Sequence, residues 1–259
     1  MAAFKKIRDV FNVLQDKESF FAEIDSKQSN RLIIKQILII CLFGFIYGLV
    51  MGSYHSSIQA LVAGVKMMVL FITTLLICFP SFFIIQQVLG SKMSFRQMVG
   101  IVLSGFVLAS TITLSFAPVI IFFQFTGNNY HFLQLLHVAV FIFAGFFGMK
   151  LILEALKYAC DKKNIYPQVG VTVFKVWIVI LAFVGIQLSW NLRPFLGGKN
   201  DDFMLFRKYQ GNFYTAIVYS FDQLFSKQKS VENVPGKAED NQNATEHKDT
   251  ADFSTFFED

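Results

Sequence analysis

Five long apolar blocks separated by short polar breaks dominate the chain between residues 33 and 190. They fall at 33–52, 58–79 with an extension to 88, 98–123, 133–156 and 171–190. Each block holds about 20 or more residues, the length that crosses about 30 Å of hydrocarbon at a rise of about 1.5 Å per residue. The pattern therefore predicts an all-α polytopic membrane bundle of about five transmembrane helices, with amphipathic segments at its two ends. The second block is too long for a single crossing, since its 31 residues would measure about 46 Å as a helix. Pro80 has no amide proton to give and marks a kink, after which residues 81–88 are expected to run along the membrane interface.

Outside the blocks the periodicity changes. Within the N-terminal segment, 1–30, residues Phe4, Ile7, Phe11, Leu14 and Phe21 recur at three- and four-residue spacing with a skip at Glu18, and Lys5, Lys6, Arg8 and Lys17 lie between them. This predicts an amphipathic helix that either lies on an anionic membrane face or docks on the bundle or a partner. After the last block, the juxtamembrane segment 191–225 places Phe206, Phe213, Ile217, Phe221 and Leu224 on roughly one helical face, interrupted by Gly211. It is too mixed to span and is expected to pack against the membrane face. Residues 226–259 form a polar tail whose linker, 226–250, has the composition of a disordered tether. The tail finishes in Phe253, Phe256 and Phe257 among Asp252, Glu258 and Asp259, a combination expected of a partner-docking tip.

Composition sharpens the membrane reading: 54% of residues are hydrophobic and only 16% are charged, a balance suited to lipid. The net charge of +5 is no sign of nucleic-acid binding, because most basic residues flank the apolar blocks and no zinc finger, phosphate loop or basic-aromatic run accompanies them. Lys and Arg number seven in residues 1–35, none in 52–58, two in 89–97, none in 125–132 and three in 157–170. By the positive-inside rule this alternation predicts a cytoplasmic N-terminus, external loops at 52–58 and 125–132, and an external C-terminal tail. Arg193, Lys199, Arg207 and Lys208 argue the other way, but short flanks set orientation more strongly than long translocated segments. With no short apolar stretch and small-residue cleavage site in its first 30 residues, the chain is expected to insert by its first span.

Few positions carry candidate chemistry. Gly44, Gly48 and Gly52 make a double small-xxx-small stripe on the first span, read as close packing within the bundle in preference to a homodimer seam. Gly100, Ser104 and Gly105 in the third span, with Gly145 and Gly148 in the fourth, offer matching smooth surfaces. Lys66 lies about 12 Å below the outer end of the second span, deep enough for a functional role. It is read instead as snorkelling to the outer head groups, so that Lys66→Met would be tolerated. His137 is placed at a similar depth, with His55 and His131 nearer the outer face. The histidines lack metal-ligand spacing, and Cys41, Cys78 and Cys160 are read as free core or lipid-facing residues. No nucleophile elbow, paired carboxylate or cofactor motif is present, so neither an enzyme nor a cofactor is expected. Thr73, Thr74, Thr111, Thr113, Gln134 and Gln187 could line a narrow path, which makes a small channel or transporter the alternative.

A polar N-terminus followed by five closely spaced spans over residues 30–190 resembles the Yip family, whose eukaryotic members act in vesicle traffic and membrane shaping. The eukaryotic N-terminal signature of that family is missing. The run Ser189, Trp190, Asn191, Leu192, Arg193, Pro194, Phe195, Leu196, Gly197, with LFR at 205–207 and GNFY at 211–214, is similar to a W-x-L-R-P-F-x-G pattern in uncharacterised bacterial multi-pass proteins. That resemblance implies a bacterial inner membrane and no particular activity. Physically, Trp190 suits an interface anchor and Arg193 a phosphate contact, while Pro194 and Gly197 turn the chain. The function expected is a non-enzymatic scaffold or membrane-perturbing effector. Its partners are membrane lipids and a protein met through the N-terminal helix or the C-terminal tip, with homo-oligomers as a further option.

Overall fold

A computed structural model describes residues 29–126, 130–161, 168–196, 205, 217–220 and 222. Among the described residues six helices follow one another: α1 (Ser29–Gly52), α2 (Ser57–Val88), α3 (Phe95–Ser115), α4 (Ala117–Thr126), α5 (Tyr130–Asp161) and α6 (Gln168–Asn191). None of the described residues lies in a strand. The helices overrun the apolar blocks by a few residues because polar side chains extend or cap the ends. Ser56 accepts from the Gln59 amide at 3.2 Å. Ser94 and Gln97 form a reciprocal capping box at the start of α3, satisfying amides that a helix start leaves free. Gly90, at φ +88°, supplies the left-handed turn that ends α2.

Two details of the predicted spans change. First, α2 continues through Pro80 to Val88, and residues 81–88 stay with the bundle. Pro80 is exposed, so its missing amide proton weakens the outward face, while the inward face is held by α6. The Phe82 ring lies 5.3 Å from that of Phe174 and 4.7 Å from that of Trp177, centroid to centroid. Gln86 Nε2 donates to the Gly170 carbonyl at 3.3 Å, and Trp177 Nε1 donates to the Cys78 carbonyl at 3.1 Å. Second, the third span is interrupted at Phe116, between α3 and α4. Pro118 cannot donate into the preceding turn, and Ser110, Thr111, Thr113 and Ser115 each turn their hydroxyls onto carbonyls three or four residues back, a habit that bends helices.

The helices close into a ring. α1 packs on α2 and α3, α3 on α5, α5 on α6, and α6 returns to α2. We call the end carrying the 53–56 turn apical; α4 and α6 finish there and α5 starts there. One buried cluster, including Phe82, Met98, Ile101, Leu103, Ile152, Phe174 and Trp177, fills the basal half. A second, including Tyr47, Met67, Leu70, Ile120 and Val140, fills the apical half. Large apolar side chains cover the outside: Leu76 and Ile142 are each 69% exposed, Val179 68% and Phe146 66%. Water would not tolerate so continuous an apolar surface, and lipid would.

The glycine stripe of α1 lies within one chain, against α2. A methyl group on Gly48 would stand 2.7 Å from the Gly64 Cα and 2.8 Å from the Ala63 carbonyl carbon. Gly52 meets Gln59 and Ala60 in the same way, whereas Gly44 faces the softer Phe71 ring. α3 and α5 use the same device, since a methyl on Gly148 would lie 2.6 Å from the Gly105 carbonyl oxygen. Gly145 borders open space and takes no part.

Candidate functional site

The apical end gathers most of the polar side chains singled out above. Helical side chains lean toward the N-terminus of their helix, and α2 starts apically, so the stem of Lys66 is carried toward that end. Its ammonium does not reach solvent: Lys66 is only 5% exposed. Nζ donates to the Pro194 carbonyl at 3.1 Å and to the Leu205 carbonyl. Gln59, seven residues earlier on the same face, also donates to the Pro194 carbonyl, at 2.9 Å. The snorkelling expectation is thereby corrected. The carbonyls of Pro194 and Leu205, beyond α6, stand at the Lys66 ammonium and replace the head-group water a snorkelling lysine would seek.

That returning segment is built from the motif at the end of the last span. The Arg193 guanidinium lies over the Trp190 ring, 3.6 Å from its centroid, a stacked cation–π arrangement. The Arg193–Pro194 peptide bond is cis. Leu196 is buried with Tyr54 and Leu133, and its carbonyl accepts from Tyr130 Oη at 3.4 Å. Gly197 lies outside the described residues, as do residues 4–24, where the sequence predicts an amphipathic helix, and the tip residues Phe253, Phe256 and Phe257. Further along, Ser220 is buried, 3.4 Å from His131 Nδ1 and from Gln134 Oε1. The described pieces of 191–225 are thus bonded to the apical ends of α2 and α5.

His137 sits one layer deeper. It is 3% exposed, and its Nδ1 lies 2.9 Å from Tyr47 Oη across the ring from α1. The three histidines face different partners: His137 meets Tyr47, His131 meets Ser220, and His55 meets Ser56. Among the described residues no three His, Cys, Asp or Glu come together in a metal-binding group. Lys66 and His137, placed at similar depth from the sequence, have separate partners.

The residues proposed to line a path do not converge. Thr74 bonds back to Leu70, Thr111 to Val107 and Thr113 to Ser110, each within its own helix. Gln187 is exposed, and Gln134 turns to Ser220. Sequence reasoning missed Gln36, which is fully buried and donates to Ser104 Oγ at 2.7 Å and the Gly100 carbonyl at 3.2 Å. The available signal was a lone amide in the first apolar block, opposite a serine in the third.

Five helices long and apolar enough to cross a membrane, with apolar outer faces suited to lipid, define an integral membrane protein of the polytopic all-α class. No protein-family model matches the chain, and no curated protein or solved structure matches it.

Proposed function

We propose that the protein is a non-enzymatic multi-pass membrane scaffold or membrane-perturbing effector that works with a protein partner. The observation that carries this reading is the closure of Lys66, the one buried lysine or arginine among the described residues, onto the backbone of the segment after α6. A conducting path needs polar groups left available to a passing solute. Here Lys66, Gln59, Thr74, Thr111 and Thr113, and the amide nitrogen of Gln36, are already engaged by protein groups. What distinguishes the chain is then its surface and its termini.

The alternation of Lys and Arg flanks supports a cytoplasmic N-terminus, and the likeness around Trp190 supports a bacterial inner membrane. The partner is met through the amphipathic pattern at 4–24 or through Phe253, Phe256 and Phe257, aromatic groups that a basic-rimmed groove would bury among acidic neighbours. Truncation after Thr250 tests the second route. The shortened protein should insert and remain stable while losing a partner that co-purifies with the full chain. Retention of that partner at full stoichiometry would refute the docking role.

A further inference from the structure

We infer that the basal rim of α1 and α3 holds the phosphate of an anionic phospholipid between Arg31, Lys35 and Arg96, with the acyl chains laid along Leu38 and Leu42. The register of the two helices brings these cations together. Gln36 Nε2 donates to Ser104 Oγ at 2.7 Å and to the Gly100 carbonyl at 3.2 Å, so Gln36 of α1 stands opposite residues 100–104 of α3. Both helices rise from the basal end. Counting back from Gln36 to Arg31 along parallel helices therefore sets Arg31 at the level of Arg96. Arg96 precedes Gly100 and Ser104 at four-residue spacing, which puts it on the side of α3 that receives Gln36. α1 begins at that level, and Arg96 is exposed. Packed helices stand about 8–10 Å apart, a separation that long basic side chains from both can close around one phosphate.

The outer face of α1 matches the polarity of a phospholipid. Arg31, Lys35, Leu38 and Leu42 recur at three- and four-residue spacing and so form one stripe. The packed sides of the helix lie elsewhere, since Gly48 and Gly52 meet α2 and Gln36 meets α3. Arg31 is exposed and Lys35 half-buried, while Leu38 and Leu42 are 62% and 55% exposed. Two cations at the basal end thus pass directly into an apolar strip that runs toward the apical end.

Charge selects the head group. Neither α1 nor α3 carries an acidic residue, so no carboxylate on these helices offsets the three cations. Guanidinium and ammonium groups bind phosphate oxygens through charge-assisted hydrogen bonds, stronger than neutral ones. A zwitterionic head group brings its own cation into this field, whereas an anionic one is drawn in. Free phosphate satisfies the cations but gains nothing from the leucines. The site is independent of whether the protein acts as a scaffold or as an effector.

The test uses full-length protein in mild detergent, stripped of bound lipid, with complexes counted by native mass spectrometry. It is titrated with dioleoylphosphatidylglycerol, with dioleoylphosphatidylcholine and with glycerol 3-phosphate, a phosphate source without chains. Wild type should bind phosphatidylglycerol about tenfold more tightly than phosphatidylcholine, and glycerol 3-phosphate far more weakly than either. The triple variant Arg31→Gln/Lys35→Gln/Arg96→Gln should lose the preference while its phosphatidylcholine binding stays unchanged. Lys175→Gln removes an exposed cation from α6, which packs on α2 and α5, and should leave the preference intact. If the triple variant does not insert, Arg96→Gln decides the matter by a severalfold loss, because Arg31 and Lys35 remain to orient the chain. Equal affinity for the two lipids, a preference that survives these variants, or a loss in Lys175→Gln as large as in Arg96→Gln overturns the inference. Glycerol 3-phosphate binding as tightly as the lipid overturns it too, since a free-phosphate site needs no chains.

Discussion

Lys66 shows how a single buried charge organises the apical end. Desolvating an ammonium is costly unless acceptors replace its water, and here the carbonyls of Pro194 and Leu205 do so, with Gln59 reinforcing the first. Lys66→Met removes two charge-assisted hydrogen bonds, leaving the Pro194 carbonyl with Gln59 alone and the Leu205 carbonyl without Lys66, so it should destabilise the protein by about 1–3 kcal/mol. The measurement is the thermal transition in nanodiscs together with proteolysis of the segment beyond Pro194, which should accelerate. A variant as stable and as resistant as wild type would restore the snorkelling reading. That Lys66 needs explaining was legible in the sequence, because a lysine inside an apolar block stands out. Its partners were not, since backbone carbonyls 128 and 139 residues away carry no residue-type signal. Gln36 escaped notice for a related reason: an amide lacks the charge that draws attention to a lysine.

Helix by helix, small residues were the most readable signal and proline the least. The stripe at Gly48 and Gly52 states a close approach in residue types alone, and a leucine at Gly48 would collide with the Ala63 and Gly64 backbone. Gly48→Leu should therefore cost about 3 kcal/mol or more, or prevent α1 from pairing with α2. Gly145→Ala, beside open space, should fall within about 0.5 kcal/mol of wild type. Denaturation of both variants in one lipid environment checks the contrast, and equal effects would contradict the packing described. Pro80 misleads because its consequence depends on the face it occupies. An exposed proline leaves the buried contacts of Phe82 and Gln86 intact, and those contacts keep 81–88 in the helix. Pro118 breaks its span because hydroxyl-bearing residues have already loosened the turns before it.

For the molecule as a whole, the number of passes and the all-α class were legible, because block length and hydrophobicity answer directly to membrane thickness. The ring order was not, since five similar apolar blocks can pack in many orders and only side-chain fit selects one. Orientation rests on the charge alternation, and it predicts that Cys placed at Ser56 or Asn128 reacts with an impermeant thiol reagent in intact cells. Cys placed at Lys92 or Lys162 should stay silent, and the reverse pattern would invert the topology. The scatter of the threonines and glutamines, which do not converge on one path among the described residues, has a more direct consequence for function. Purified protein reconstituted into liposomes loaded with potassium salts and with a fluorescent dye should show no selective, saturable flux of any small solute, although unselective dye leakage remains compatible with a membrane-perturbing effector. Flux that saturates with solute concentration and is abolished by Lys66→Met at unchanged protein level would contradict the account and make the protein a transporter.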